Sequence, residues 1–201
     1  MRLILLRHAE TDWNAAGRIQ GRSDIPLNDR GREDAALWSL PPSIAPKKWV
    51  TSPQKRARET AAAMGVAADI EPSLAEMNWG DWEGRTLADL RGELGNAFAE
   101  NEDRGLDFLP PGGESPRMVQ QRVLPWLNTL ARHDHDVGAI SHKGVIRAIV
   151  ALASGWNMIG KAPAKISSGT AQVISITPAG TMILEASDVR LSDKGDADDI
   201  E

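Results

Sequence analysis

Short apolar runs alternate with longer amphipathic stretches along this chain, and the alternation predicts its secondary structure. Short runs bounded by polar or turn-forming residues are typical of buried strands, whereas apolar positions spaced three and four apart indicate helices. The predicted elements are, in chain order, a strand at 3–6, a helix at 29–40, a strand at 49–51, helices at 52–64 and 115–132, a strand at 136–141, a helix at 144–153, and strands at 171–177 and 181–187.

Capping residues support several of these boundaries. Asn28 and Ser115 are good N-caps, Ser52 is a hydroxyl N-cap followed by proline, and Gly65 suits a left-handed C-cap. Strands that alternate with helices form largely parallel sheets covered on both faces. We therefore predict an α/β fold with three α/β/α layers, a mostly parallel central sheet and a closing hairpin of the last two strands.

The chain is predicted to form one domain over residues 1–190, because no linker-like segment or change of composition divides it. Between residues 71 and 111 the pattern mixes turn signals with short helical patches, which predicts an insertion beside the sheet. Residues 191–201 are acidic and nearly free of apolar anchors, so a flexible tail is expected there.

Composition and charge then narrow the classes of function. Hydrophobic residues make up 41% and charged residues 25% of the 201 positions, which are ordinary globular values. No apolar stretch is long enough to span a bilayer and no secretory signal precedes the first strand, so we expect a cytoplasmic protein without a membrane partner. A net charge of −5 argues against a nucleic-acid partner. The absence of cysteine excludes disulfides, thiolate metal sites and a cysteine nucleophile.

Two predicted strand ends carry the candidate chemistry. Arg7 and His8 follow the first strand, and His142 follows the strand at 136–141. Because the carboxyl ends of parallel strands share one edge, these side chains are expected to meet. Arg56 lies in the first turn of a predicted helix, where free backbone N–H groups already favour an anion, whereas Arg58 points to another face. An arginine fork beside an imidazole suits phosphoryl chemistry.

A series of motifs between residues 3 and 150 carries a family resemblance. The motifs are Leu-Arg-His-Ala-Glu-Thr-Asp-Trp-Asn at 6–14, Gln-Gly at 20–21, Ser-Pro with Arg-Ala and Thr at 52–60, Leu-Ala-Glu at 74–76, Gly-Asp-Trp-Glu-Gly at 80–84, Pro-Gly-Gly-Glu-Ser at 111–115 and Ser-His-Lys-Gly-Val-Ile-Arg at 141–147. In this order and spacing they resemble the histidine phosphatase superfamily, the phosphoglycerate mutase-like group. The resemblance implies a phosphoglycerate mutase-like fold and a metal-independent phosphatase without a cofactor.

The resemblance assigns roles to individual residues. It implies that His8 attacks phosphorus and becomes a phosphohistidine, with its tautomer fixed by a backbone acceptor. Arg7, Arg56 and His142 would surround the phosphoryl oxygens, with Asn14 as a neutral donor. The remaining assignments are Gln20 and Gly21 as contacts to the non-phosphate part of the substrate, and Glu76 as the proton donor.

Some positions keep two interpretations. Glu83 in the motif at 80–84 is a rival to Glu76 as the acid. Ala9 and Lys143 stand where the family usually has glycine, so Ala9 requires a negative φ, and Lys143 points to solvent or adds a cation to the pocket. The run His-Asp-His-Asp at 133–136 is expected to be a solvated loop rather than a metal site.

Hydrolysis of a small-molecule phosphomonoester is the predicted function. Mutases of this group carry basic residues after the acid, whereas Glu76 is followed by Met-Asn-Trp-Gly at 77–80. A phosphoglycerate mutase-type transferase and a phosphate-binding regulatory module remain as alternatives. Apolar positions on the final hairpin leave a homodimer open.

Overall fold

The computed structural model describes residues 1–193, in which a six-stranded mixed sheet lies between layers of helices. The strands are β1 (Arg2–Arg7), β2 (Trp38–Ser39), β3 (Lys48–Thr51), β4 (Ala68–Ile70), β5 (Val137–Ser141), β6 (Thr170–Ile176), β7 (Met182–Arg190) and β8 (Ser192–Asp193). The α-helices are α1 (Asp12–Ala15), α2 (Asp29–Leu37), α3 (Lys55–Met64), α4 (Leu87–Leu94), α5 (Asn96–Glu102), α6 (Pro116–Leu130) and α7 (Lys143–Ser154). Single 3₁₀ turns lie at Pro42–Ile44, Pro72–Leu74, Gly80–Trp82 and Gly105–Asp107.

The order of the sheet is β4-β3-β5-β1-β6-β7, with β4, β3, β5 and β1 parallel to one another. β6 runs antiparallel to β1, and β7 antiparallel to β6. This arrangement confirms the predicted α/β class with a mostly parallel sheet. β2 pairs with β8 in a separate two-stranded sheet.

Both faces of the sheet are covered at its centre, which explains why the inner strands β1 and β5 are buried along almost their whole length. Successive residues of β1 alternate between two core clusters, with Leu3 and Leu5 in one and Ile4 and Leu6 in the other. Helices α6 and α7 contribute to the first cluster, and α2 and α3 to the second. The predicted three-layer arrangement is therefore present.

The register of the parallel strands determines where the candidate residues emerge. Arg7 pairs with Ser141 across β1 and β5, and the backbone N–H of His8 donates to the Ser141 carbonyl at 2.9 Å. The N–H of Ser52, just after β3, donates to the Ile140 carbonyl at 2.9 Å. Three adjacent strand ends thus deliver His8, His142 and Ser52 to one edge of the sheet.

Two predicted helix boundaries differ from the structure. α2 ends at Leu37 rather than at residue 40, because Trp38 and Ser39 pair with β8. α3 begins at Lys55 with Gln54 as its N-cap, so Ser52 is not the cap, and its hydroxyl bonds instead to His142. Tertiary hydrogen bonding has overridden a good local capping signal.

The segment predicted as an insertion contains α4 and α5, and its aromatic residues belong to the first core cluster. Trp82 packs on Phe98 with ring centroids 5.2 Å apart and on Phe108 at 5.7 Å. The predicted tail differs at its start, because Ser192 and Asp193 form β8, while residues 194–201 lie outside the described residues. No helix within residues 1–193 is long and apolar enough to cross a bilayer.

Candidate active site

A cavity of about 590 Å³ lies where β1 ends. Seven of the eight predicted site residues line it, namely Arg7, His8, Asn14, Gln20, Gly21, Arg56 and Glu76. Its remaining wall includes apolar side chains from the segment between residues 77 and 108. Cationic groups are thus combined with an apolar wall, as in small-molecule sites.

His8 presents one ring nitrogen to the cavity in a defined tautomer. Its Nδ1 lies 2.7 Å from the carbonyl oxygen of Ala9, which can only accept, so Nδ1 carries the proton and Nε2 keeps its lone pair. Burial, followed by the charges of Arg7 and Arg56, holds the pKa of His8 well below its ordinary value. The ring is therefore neutral at neutral pH, with a lone pair on Nε2. Ala9 does not have a positive φ, so its replacement of glycine is tolerated.

His142 lies directly behind His8 and does not line the cavity. The two ring centroids are 5.1 Å apart. Nδ1 of His142 accepts a hydrogen bond from Nε of Arg56 at 3.2 Å, so Nε2 carries the proton and donates to Ser52 Oγ at 2.7 Å. Both ring nitrogens are occupied by protein groups. Burial, followed by the charges of Arg56, His8 and Arg7, holds the pKa of His142 well below its ordinary value.

Arg56 is completely buried and links three parts of the site. Besides its bond to His142, its Nη1 donates to the Ser23 carbonyl at 2.7 Å and its Nη2 to the Gly21 carbonyl at 2.8 Å. A guanidinium has five N–H donors, so one on each terminal nitrogen remains for a ligand. The bonds to two loop carbonyls fix the plane of the guanidinium before any ligand arrives.

Arg7 supplies a second guanidinium with a donor still to be satisfied. Its Nε is buried and has no hydrogen-bond partner among residues 1–193. Burial lowers the pKa of Arg7, and the nearby Glu76 opposes the shift. A buried cation with an unsatisfied N–H is costly, and an anion in the cavity would compensate it.

Glu76 is held at the N-terminus of α7. Its carboxylate oxygens accept from the backbone N–H groups of Met77 at 2.8 Å, Gly144 at 3.2 Å and Val145 at 3.3 Å. Its own N–H donates to Gln54 Oε1 at 2.7 Å. The carboxylate is therefore placed against the cavity by three backbone donors and a helix end.

A second layer positions the segment that carries Glu76. Arg122 on α6 donates through Nη2 to the Ala75 carbonyl at 2.7 Å and through Nη1 to the Ser73 carbonyl. Its Nε donates to Glu114 at 2.9 Å. These bonds connect α6 to the backbone immediately before the proton-donor candidate.

Glu83 has a different environment from Glu76 and does not line the cavity. Its carboxylate accepts from the backbone N–H groups of Arg22 at 2.6 Å and Ser23 at 3.0 Å, and from the Ser23 hydroxyl at 2.7 Å. Gly21 permits this approach, since a Cβ on it would lie 2.0 Å from Glu83 Oε1 and its φ is +50°. Glu83 therefore organises the loop at 21–23.

The three predicted substrate contacts also help to build the loop that covers the site. Asn14 Oδ1 accepts from the Thr11 N–H at 3.2 Å, and Gln20 Oε1 accepts from the Thr11 hydroxyl at 3.0 Å. The Gly21 carbonyl accepts from Arg56 and, at 2.8 Å, from Gln54 Nε2. The amide oxygens of Asn14 and Gln20 are used internally, so their NH₂ groups are the atoms left to meet a ligand.

Sequence reasoning missed three residues that contribute to this site. Ser52 orients His142, Gln54 joins Glu76 to Gly21, and Arg147 lines the cavity from α7. Ser52 carried a usable signal, because it follows a strand as His8 and His142 do. Arg147 lies one helical turn beyond Lys143, which also lines the cavity although it is exposed to solvent.

Residues 134–136 of the run at 133–136 form hydrogen-bonded side-chain pairs near the surface. Asp136 accepts from Arg2 Nη2 at 2.6 Å, and Asp134 lies 2.9 Å from His135 Nδ1. Within residues 1–193, no group of three histidine or carboxylate side chains is placed to hold a metal ion.

We expect the free energy of unfolding to fall as the pH drops below about 6.5, the ordinary pKa of histidine in an unfolded chain. The pKa values of His8 and His142 are depressed in the folded state, so below that pH the unfolded state binds more protons. The stability present above about pH 6.5 is then lost at about 1.4 kcal/mol per pH unit for each histidine. Urea denaturation in phosphate-free buffers between about pH 5 and 7.5 measures the slope. His142→Gln should halve it, and an unchanged slope in that variant would contradict the assignment.

Comparison with known proteins identifies the family of this chain. The family model of the histidine phosphatase superfamily (branch 1) matches residues 3–195. Glucosyl-3-phosphoglycerate phosphatase of Mycolicibacterium vanbaalenii is 34% identical over 179 residues, covering 79% of each chain. Adenosylcobalamin/alpha-ribazole phosphatase of Escherichia coli is 32% identical over 158 residues, covering 75% of this chain and 78% of that protein.

The similarity extends to solved structures. The crystal structure of the alpha-ribazole phosphatase from Shigella flexneri superposes with a TM-score of 0.77 at 28% identity, covering 94% of this chain and 97% of that one. These relatives are phosphatases, which supports hydrolase activity for this chain. From its sequence, its fold and the arrangement around His8, this chain belongs to the histidine phosphatase superfamily.

Proposed function

We propose that this chain hydrolyses small-molecule phosphomonoesters through a phosphohistidine on His8, with Glu76 as the proton donor. The observation that carries the proposal is the state of His8. Its Nδ1 proton is held by the Ala9 carbonyl, and its Nε2 lone pair opens into a cavity that Arg7 and Arg56 also line. A neutral imidazole between two guanidiniums can attack phosphorus while the oxygens of the phosphoryl group are stabilised.

In the first step, His8 Nε2 forms a bond to phosphorus and the bond from phosphorus to the ester oxygen breaks. Glu76 carries a proton on its carboxyl group when the substrate is bound and gives it to the departing alkoxide. An alcohol leaves, and Glu76 returns to the carboxylate form that its three backbone N–H donors stabilise. The remaining N–H groups of Arg56 and the unsatisfied Nε of Arg7 offset the negative charge on the equatorial oxygens.

In the second step, a water molecule attacks the phosphorus of the phosphohistidine. Its proton passes to the Glu76 carboxylate, the N–P bond breaks, and inorganic phosphate leaves. His8 regains its lone pair and Glu76 its proton, so the cycle closes without a net change in the protein.

His142 acts as a positioning residue in this proposal. Its Nδ1 accepts from Arg56 Nε, and its Nε2 is anchored on Ser52. This pair of bonds orients the guanidinium whose remaining donors face the phosphoryl group. Fixed cations supply the charge stabilisation, so we propose that catalysis needs no metal.

The proposal is tested with a chromogenic aryl phosphate in the presence and absence of EDTA. We expect phosphate release that is unaffected by the chelator. Quenched samples should also contain a phosphoprotein that is labile in acid and stable in alkali, as phosphohistidine is. Loss of all activity in EDTA with recovery on adding a divalent metal would contradict the mechanism. Conversion of 3- to 2-phosphoglycerate stimulated by the bisphosphate would identify a mutase instead.

A further inference from the structure

A second cavity of about 480 Å³ adjoins the one that contains His8. Arg7, Lys143 and Arg147 line both cavities and form the wall between them. The opposite wall is the segment at 162–168, which connects α7 with β6. Its Ser168 hydroxyl lies 3.5 Å from the His8 carbonyl, so the second cavity is attached to the backbone of the proposed nucleophile.

The charged side chains that line this second cavity are all cationic. Lys165 adds a fourth cation to the three in the shared wall, and Ser167 and Ser168 add hydroxyl groups. Among residues 1–193, no aspartate or glutamate lines it. Asp188 accepts a hydrogen bond from the backbone N–H of Lys165 at 3.4 Å rather than from its ammonium group.

The shared wall is held in place by the fold. Lys143 and Arg147 are four residues apart on α7 and therefore lie on one face of the helix. The guanidinium of Arg147 stacks over the ring of Trp156, 4.8 Å from its centroid. Burial, followed by the charges of Arg7 and Arg147, lowers the pKa of Lys143, and the nearby Glu76 carboxylate opposes the shift without reversing it. Like charges gathered in one wall repel one another, and an anion between them would relieve that repulsion.

We propose that this second cavity, defined by Lys143, Arg147, Lys165 and the Ser167–Ser168 hydroxyls, binds a second anionic group of the substrate, a carboxylate or another phosphate. The inference rests on the proposed function, since it assumes that the transferred phosphoryl group lies beside His8. Arg7 then contacts the phosphoryl group from one side and the second anion from the other. Substrates that carry two separated anionic groups therefore bind more tightly than substrates that carry one.

Binding of uncleavable phosphonates tests the subsite without relying on turnover. Isothermal titration of the full chain would compare 3-phosphonopropionate and 5-phosphonopentanoate with propylphosphonate and pentylphosphonate, which lack the carboxylate. Bisphosphonates of the same two lengths form a further arm that separates a phosphate from a carboxylate preference. One of the two chain lengths should suit the distance between the cavities. At that length, we expect the phosphonate that carries a second anionic group to bind about ten-fold more tightly than the alkylphosphonate without it.

Matched lysine variants assign that preference to the second cavity. Lys165→Met should remove most of the advantage and leave alkylphosphonate affinity unchanged, which also shows that the variant is folded. Lys161→Met removes the same charge from the same connection between α7 and β6, at a residue that does not line the second cavity, and should keep the advantage. Lys143→Met, in the shared wall, should reduce it as well.

The outcomes separate this inference from the proposed function. Equal affinity for charged and uncharged tails in the unmodified protein, or an advantage that survives both Lys165→Met and Lys143→Met, would overturn the subsite. Either result leaves phosphatase activity untouched. Failure of the proposed function would appear separately, as an absence of phosphate release from the aryl phosphate.

Discussion

Replacement of His8 by alanine is expected to lower kcat for phosphomonoester hydrolysis by about 10⁴-fold or more, because the proposed mechanism requires His8 to accept the phosphoryl group. The Nε2 lone pair of His8 opens into the cavity, whereas both nitrogens of His142 are bonded to Arg56 and Ser52. His142 therefore cannot replace the missing nucleophile. Steady-state rates with an aryl phosphate, together with the acid-labile phosphoprotein in quenched samples, measure the loss.

His135→Ala provides a matched control for that experiment. His135 is half-buried in the loop before β5, where its ring pairs with Asp134 and stacks on the ring of His133 with the centroids 5.1 Å apart. We expect this variant to retain the activity and the phosphoprotein. If His8→Ala still formed an acid-labile phosphoprotein at the rate of the unmodified chain, the nucleophile would have to be another residue.

The meeting of His8 with His142 could be predicted from the sequence because it follows from a general property of parallel sheets. Both residues come directly after apolar runs, and the carboxyl ends of adjacent parallel strands lie at one edge. Arg56 could be predicted only in combination with the two histidines and Arg7, because an arginine in the first turn of a helix is by itself more often solvated. The two histidines are 134 residues apart in the sequence, but the pairing of β1 with β5 brings them together.

The hydrogen bonds that could not be predicted are those of side chains with both a local partner and a distant one available. Ser52 has the sequence of a helix N-cap, yet its hydroxyl bonds to His142 and the helix begins three residues later. A local signal cannot reveal a competing partner that is 90 residues away. The same applies to Arg122, whose bonds to the backbone at 73 and 75 depend on how α6 packs beside the segment carrying Glu76.

The position of His142 illustrates the difference between proximity and role. The family resemblance implies that it surrounds the phosphoryl oxygens, whereas in the structure Arg56 lies between its Nδ1 and the cavity-lining loop. A direct contact with a phosphoryl group would require His142 to give up its bond to Arg56 or to Ser52. Acting through Arg56 costs no such rearrangement, which is why we assign it a positioning role.

Glu76→Gln is expected to slow phosphorylation of His8 by alkyl phosphates by about 10³-fold, because a glutamine cannot give a proton to the departing alkoxide. An aryl phosphate with a stable phenolate leaving group needs little protonation, so its first turnover should be slowed far less. The amide can still accept one backbone bond at the N-terminus of α7, which limits structural damage. Rapid-quench measurement of the phosphoprotein with both substrates separates the two steps.

Glu76→Gln should also slow the second step of the cycle, the hydrolysis of the phosphohistidine. Without a carboxylate to take a proton from water, the phosphohistidine should accumulate after a burst of one phenolate per protein.

Glu83→Gln is the matched control, since this carboxylate bonds to Arg22 and Ser23 and does not line the cavity. It should raise KM and lower stability through the loop at 21–23, with no difference between alkyl and aryl substrates. A leaving-group dependence in Glu83→Gln but not in Glu76→Gln would transfer the acid role to Glu83, because only the proton donor senses how basic the leaving group is.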